Sequence, residues 1–301
     1  MQRSATIVVR NTGLLANRMF QHMFAHELAY RVGKPVTICA ESLPEWGISL
    51  PEAVFPQEGT APDPHVLRLL NFNLDAVATA LRQGIVGPVI LEGWPMRMEY
   101  YRAPEHYAQL FSPDEAPSYK ASDDEVLLHV RAGDTIDGHH PLYFPLPPAY
   151  YAKVIEETGL RPVFIGELED NRYVEILRSS FPEAAFLPPA DAVADFQSLR
   201  NARHVALSIS TFSWLATWLS SHAQTIHLPV CGMFYPHQIG PNLLPVSDLR
   251  YRFYEVPFPD MNEREATGMD ALLEREVQVG TIERSDLFDM ARKALLEPPP
   301  Q

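Results

Sequence analysis

The chain has 301 residues, 46% hydrophobic and 21% charged, which is enough for a sizeable core and, by length, for two domains. A net charge of −14 argues against general nucleic-acid or anionic-membrane binding, while leaving room for a local basic pocket. Cys39 and Cys231 are too few and too far apart for a disulfide framework or a zinc site, and no run approaches the roughly 20 apolar residues of a membrane span.

The N-terminal MQRSATIVVRNTG lacks the apolar core of a secretory leader, so a soluble, cytoplasmic protein is expected. Taken in chain order, short apolar runs alternate with helical patterns. A strand over 7–9 precedes a helix over 17–32, where Met19, Phe20, Met23, Phe24 and Leu28 recur near helical spacing. Then come a strand at 36–39, a helix at 65–83 and a strand at 89–91. The stretch SPDEAPSYKASDD, 112–124, is polar and aperiodic and reads as a domain boundary. Beyond it the pattern gives strands at 125–130, 163–165, 204–209 and 225–228. Helices are expected at 147–158, 170–181, 212–221 and 286–296. The stretch 236–268 is rich in Pro and reads as irregular. Several strands lack a polar face, which suits sheets covered on both sides. The expectation is an α/β protein with parallel sheets, split into two facing Rossmann-like halves with a cleft between them. Ligands in such folds bind at the C-terminal ends of strands.

Three loops sit at such ends. RNTGLLANRMFQH follows the first strand. Gly13 permits a sharp turn and Asn17 stands where a helix N-cap is expected. It reads either as an ordinary turn or as a ligand-facing loop, and it has no G-x-G-x-x-G fingerprint. LLHVRAGDTIDGHH, from Leu127 to His140, carries Arg131 off the end of a strand, flanked by His129 and Asp134. A guanidinium there suits a phosphate, because it donates in a fixed fork and keeps its charge; a simple ion pair with Asp134 is the alternative. HVALSISTFSWLATWLS runs into Ser210 and Thr211 and then a helix, giving either plain capping or an anion site at a helix start. His139 and His140 are adjacent and lack a second ligand cluster, so no metal site is expected.

Together these loops resemble the bacterial α-1,2-fucosyltransferase family. HVRAGD (129–134) resembles the H-x-R-R-x-D motif shared with α-1,6- and protein O-fucosyltransferases. SISTFSWLATWL (208–219) resembles N-S-S-F-S-W-W-x-A-W-L, and GLLANRMFQHMFAHELA (13–29) resembles the family's G-G-L-G-N-Q-M-F-Q-Y-A-F segment. LEGWPMRMEYY (91–101), LPPAYYAKVI (146–155) and DFQSLRNARHVALS (195–208) give weaker echoes in the same order.

The resemblance implies a GT-B architecture, with an acceptor-side domain over 1–118 and a GDP-sugar-binding domain over 119–301. It implies transfer of L-fucose from GDP-β-L-fucose to a glycan hydroxyl, α-1,2 to galactose in the family's pattern, with inversion and without a cofactor or required metal. Carried over by position, Arg131 meets the β-phosphate, and His129 lies near the diphosphate or ribose. Ser210, Thr211 and Phe212 hold phosphates, Asn17 faces the reacting sugar, and Asp195 contacts the nucleotide. The acceptor hydroxyl needs a proton acceptor, for which Asp134 and Asp137 rank ahead of His139 and His140. The partners implied are a GDP-sugar donor and an oligosaccharide or polysaccharide acceptor.

The sequence also departs from that pattern. Ala132 replaces the motif's second Arg, Ala16 and Arg18 flank Asn17 where Gly and Gln are usual, and Trp214-Leu215 replaces an aromatic pair. Rival readings are a catalytically lapsed nucleotide- or glycan-binding module, a transferase using another GDP-sugar, and a metal-dependent hydrolase built on His129, His139 and His140.

Overall fold

The structure, a computed structural model, describes residues 5–51, 64–68, 72–112, 116–236 and 240–296. The chain divides into two compact units, Met1–Asp114 with Ile239–Pro241, and Glu115–Gln238 with Asn242–Gln301. Residues 113–115 of the expected boundary, 69–71 of the expected helix over 65–83 and 237–239 of the irregular stretch lie outside the described residues. Among the described residues no helix is long and apolar enough to cross a membrane.

The first unit contains β1 (Ala5–Val9), α1 (Leu15–Val32), β2 (Val36–Ala40), β3 (His65–Leu67), α2 (Leu74–Gln83), β4 (Val89–Leu91) and the short α3 (Glu105–Ala108). Its four strands form a parallel sheet in the order β2-β1-β4-β3. Ile7 and Val9 point to the face covered by α1 and α2, where they pack with Phe24, Leu28, Leu81 and Leu91. Val8 points the other way and meets Cys39 and Ile90, as the period of two requires. Full burial of one such side chain contributes roughly 1.5–3 kcal/mol, so packing rather than capping holds α1. Its N-cap position is Leu14, with no side-chain hydrogen bond. By contrast Asn73 caps α2, accepting the Ala76 N–H at 2.9 Å. The expected helix over 65–83 is therefore a strand, β3, followed by a helix that starts only at Leu74. The return segment joins this unit through the buried Arg97, whose Nη1 donates to the Gly240 carbonyl at 2.7 Å.

The second unit contains β5 (Glu125–Val130), α4 (Pro148–Thr158), β6 (Arg161–Gly166), α5 (Arg172–Ser180), β7 (Ala185–Phe186), α6 (Ala192–Asn201), β8 (His204–Ala206) and α7 (Thr211–Trp218). It continues with β9 (Thr225–Val230), β10 (Tyr251–Glu255), α8 (Met261–Thr267), α9 (Met269–Leu273), β11 (Gly280–Ile282) and α10 (Arg284–Leu296). Seven strands form one sheet in the order β11-β10-β9-β8-β5-β6-β7, parallel except for β11. Every residue of β5 is buried, as befits a central strand. That includes Glu125, whose carboxylate accepts the Tyr119 hydroxyl and the Ser122 N–H, both at 2.8 Å, and pairs with Arg161. The stretch read as irregular, 236–268, contains β10 and α8.

Candidate functional site

Chain order along the larger sheet is consecutive except between β5 and β8. Ligand crevices form beyond the carboxyl ends of strands at such a break. The two loops that leave these strands are the ones singled out by sequence. After Val130 the chain turns at once. Ile136 N–H reaches the Ala132 carbonyl at 3.1 Å, and the Thr135 hydroxyl donates to the Arg131 carbonyl at 3.0 Å. The motif is thus the end of a buried strand plus one tight turn.

Arg131 meets Asp134 side by side. Its Nε and Nη2 donate to Asp134 Oδ1 at 3.1 and 3.0 Å, and Nη2 donates to Oδ2 at 2.8 Å. The guanidinium carbon lies 4.4 Å from the centre of the Tyr143 ring, close enough for a cation–π contact. The Arg131 side chain is only 12% exposed while Asp134 is 64% exposed. The charge is therefore held in place, against an aromatic face, with its carboxylate partner on the solvent side. Asp134 is thus the carboxylate partner of Arg131.

His129 is buried, and its Nδ1 shares a 2.7 Å hydrogen bond with Ser208 Oγ. Burial, with the Arg131 guanidinium adding to it, pushes its pKa down to about 3, so the ring is neutral at ordinary pH. It stacks on Phe212, centroids 5.7 Å apart, and Phe212 meets Phe196 of α6 edge-on. Ser210 is the N-cap of α7, its hydroxyl accepting the Phe212 N–H at 3.2 Å. Ser210 and Thr211 are buried and Phe212 is half-buried. The strand expected over 204–209 stops at Ala206, because Ser208 turns its side chain to His129 and its carbonyl to the Ser210 N–H at 2.8 Å. So β5 and β8 bring Arg131, His129, Asp134, Ser210, Thr211 and Phe212 to one end of one sheet.

Two supports come from the next strand. Glu167, just past β6, accepts the N–H groups of Ala132 and Gly133 on one oxygen, at 2.8 and 2.7 Å. Gly166 has φ +112°, and a Cβ there would lie 2.5 Å from the Val130 carbonyl and 3.1 Å from the His129 ring. Only glycine fits beside the histidine. Ala132 is 0% exposed, so the position of the family's second Arg is interior and closed here. A third support is Arg264 of α8. Its Nη1 donates to the carbonyls of Gly138, His140 and Tyr143 at 3.1, 2.8 and 3.0 Å, and its guanidinium stacks on Phe144 and Phe258.

His140 belongs to the same loop. Its Nδ1 accepts the Leu142 N–H at 3.1 Å, and its ring tilts against Tyr143. Burial lowers its pKa, with Arg131 next in effect. His139 and Asp137 are exposed. Among the described residues no three His, Cys, Asp or Glu side chains are grouped to hold a metal ion.

Two further candidates belong to other elements. Asp195, in the first turn of α6, accepts the Ser118 hydroxyl at 2.7 Å and helps hold the segment that enters the second unit. Burial raises its pKa, against the lowering effect of Ser118. Asn17 belongs to the first unit. It is not a cap but a residue of the first turn of α1, and it packs on Gly13, where a Cβ would lie 2.6 Å from its Nδ2. The sequence reading missed Tyr143, Glu167 and Arg264. Glu167 had one available signal, its place just beyond a strand next to β5.

No protein-family model matches the chain, and no curated protein matches its sequence. By structure it is similar to a point mutant of Arabidopsis thaliana FUT1 in complex with GDP, with a TM-score of 0.50 and 12% identity over 75% of this chain and 70% of that one. It is also similar to POFUT1 in complex with GDP-fucose, at TM-score 0.45 and 10% identity over 76% and 98% of the two chains. A glycosyl transferase family 9 protein from Veillonella parvula gives TM-score 0.44 and 12% identity over 99% of each chain. The FUT1 likeness and the two sheets, parallel except for β11, show an α/β fold of GT-B type.

Proposed function

We propose that the chain is an inverting glycosyltransferase that moves L-fucose from GDP-β-L-fucose to a hydroxyl of a glycan acceptor. The observation that carries this reading is the placement of Arg131. A guanidinium almost out of solvent stands at the break in strand order, with the capped start of α7 on the adjoining strand end. A fixed cation and a helix N-terminus aimed at one place suit the charge that builds on a departing diphosphate. In the reaction the acceptor oxygen bonds to C1 of the sugar as the C1–O bond to the β-phosphate breaks. The electron pair leaves with GDP, and the hydroxyl proton passes to a carboxylate. We assign that carboxylate to Asp134, which the donor phosphate displaces from the Arg131 fork. His129, neutral, and Phe212 form the wall behind the diphosphate, and Ser210 and Thr211 contact its oxygens. By the sequence resemblance alone, Asn17 and Asp195 are the further candidates for contact with sugar and nucleotide. No metal is required in this scheme, because Arg131 and α7 supply the positive charge.

An α-1,2 linkage to galactose is the finer form of the proposal, and it rests on the sequence resemblance alone. The two buried free thiols, Cys39 and Cys231, suit work in a reducing, cytoplasmic setting. A second reading, a transferase using another GDP-sugar, is favoured by one observation, the closed interior position of Ala132.

The test is a thermal-shift and turnover series with GDP and a panel of GDP-sugars, each with and without chelator. GDP should stabilise the protein with chelator present, and GDP-fucose should be turned over. Arg131→Ala should lower turnover by about 10²–10³-fold, the usual cost of one donor to a developing anion, with circular dichroism unchanged. Absence of any GDP-induced shift would overturn the proposal, and turnover of another GDP-sugar alone would replace fucose.

A further inference from the structure

The first unit has its own break in strand order. In β2-β1-β4-β3 the order is consecutive except between β1 and β4. Arg10 follows β1, Glu92 follows β4 and Arg68 follows β3. Both guanidiniums bind one carboxylate, Arg10 through Nη1 to Oε1 and Arg68 through Nε to Oε2 at 2.8 Å. The hydrogen bond from Arg68, with help from Arg10, holds the Glu92 carboxyl below the usual carboxylate range. Glu92 is therefore an anchor for the two cations and a poor proton acceptor.

Two features separate this cluster from an ordinary surface ion pair. First, two cations share one anion among the described residues, a local positive surplus on a chain of net charge −14. The arginine side chains are 52% and 72% exposed, so their forks reach solvent. Such exposed pairs add little to stability, and folding does not account for the arrangement. Second, an exposed tryptophan follows on the same loop. Of the chain's four tryptophans, Trp46, Trp214 and Trp218 are buried, whereas Trp94 is 38% exposed.

The loop is also braced from below. The buried Gln21 donates to the Gly93 carbonyl at 3.0 Å and accepts the Thr12 N–H at 3.0 Å, tying the loop after β4 to the loop after β1. Arg10 N–H reaches the Leu91 carbonyl at 3.0 Å, and Met96 N–H reaches the Trp94 carbonyl at 2.8 Å. Gly93 packs against the Arg68 backbone, where a Cβ would come within 3.2 Å. An aromatic face offers a platform to the apolar side of a sugar ring, and arginine forks match carboxylates and phosphates.

We infer that Arg10, Arg68 and Trp94 form a saccharide subsite whose ligand carries an anionic substituent.

The experiment measures binding of three disaccharides to the whole protein by calorimetry, without donor. They carry glucuronic acid, glucose 6-phosphate or glucose at the same position of an otherwise identical disaccharide. At least one anionic form should bind tenfold or more tightly than the neutral one and weaken as salt rises. Which anionic form binds distinguishes a uronate from a phosphate ligand. Arg68→Gln should abolish the preference for charge. Trp94→Ala should weaken all three ligands, and Trp94→Phe should restore most of the loss. The GDP-induced thermal shift, measured on the same variants, reports separately on the donor site. If the shift is present but no disaccharide binds, or the neutral form binds as well as the charged ones, the subsite is refuted while the transferase reading stands. If charged disaccharides bind and GDP does not, the transferase reading fails and the subsite stands.

Discussion

Replacing Glu167 by Ala should loosen the turn that presents Arg131, and the size of the effect follows from its two bonds. The N–H groups of Ala132 and Gly133 reach one carboxylate oxygen at 2.8 and 2.7 Å. Hydrogen bonds to a charged group contribute about 1.5–3 kcal/mol each. Gly133 is exposed, so its N–H turns to water when the carboxylate is gone. Ala132 is fully buried, so its N–H is left without a partner. Most of the loss therefore falls on one group, and about 2 kcal/mol is expected. For a domain of this size that lowers the melting temperature by about 4–8 °C. Glu167→Gln keeps a neutral acceptor and should lose about half as much, since charge roughly doubles such a bond. Urea unfolding gives the stability, and GDP titration gives the site. The alanine variant should bind GDP about tenfold more weakly, because a slack turn no longer fixes the Arg131 fork, on the order of 1.4 kcal/mol. A Glu167→Ala protein within about 0.5 kcal/mol of the parent, the range of an ordinary surface change, would show that the carboxylate does not hold the turn.

Gly166→Ala should cost about 3 kcal/mol or more, since it combines a strained backbone with a Cβ pressed on a carbonyl. A melting curve like the parent's would contradict the approach of Gly166 to Val130 and His129. Acid should destabilise the protein before its carboxylates titrate. His129 and His227 are held down to about 3 and His22 to about 4, chiefly by burial, all from the same ordinary value of 6.5. Each ring is neutral when folded and gains a proton when unfolded. Its contribution is therefore whole above pH 6.5 and is lost as pH falls toward 3–4, by up to about 1.4 kcal/mol per pH unit for each ring. Urea midpoints at pH 7.5, 6 and 5 should fall in that order. A flat profile would mean that these rings accept protons without unfolding.

Much of the parallel sheet was legible because central strands are apolar on both faces. The runs at 7–9, 89–91 and 125–130 stood out, and β1, β4 and β5 lie there. The elements that escaped have physical reasons. His65–Leu67 has only three residues and lies ahead of a good helical pattern, so β3 merged with α2. In α6 the buried positions include Asp195, Gln197 and Ser198, which blurs the apolar period. Asp195 and Ser198 are inside because Ser118 and Tyr119 bond to them as the chain enters the second unit. β10 reads YRFYE, with exposed Arg252 and Glu255 and prolines nearby, and β7 has two residues. At the site the motif residues were visible and their supports were not. Tyr143, Glu167 and Arg264 act through the planes and bonds they offer to Arg131 or its loop, and each comes from another part of the chain. Three-dimensional adjacency of that kind leaves no local spacing to read.

Arg264 has a consequence for the order in which the protein is made. It lies 126 residues after Gly138, yet its guanidinium gathers the carbonyls of the loop that carries Tyr143 to Arg131. During synthesis the motif leaves the ribosome long before α8 does. The strands on which the motif sits can pair while translation continues, and Met233 N–H can reach the Leu142 carbonyl, but the bonds to Gly138, His140 and Tyr143 wait for α8. A nascent chain therefore holds every residue of the motif, and the frame of its sheet, well before it holds a finished loop beside Arg131. Maturation of that loop is timed by the last third of the polypeptide, far from the residues that define it.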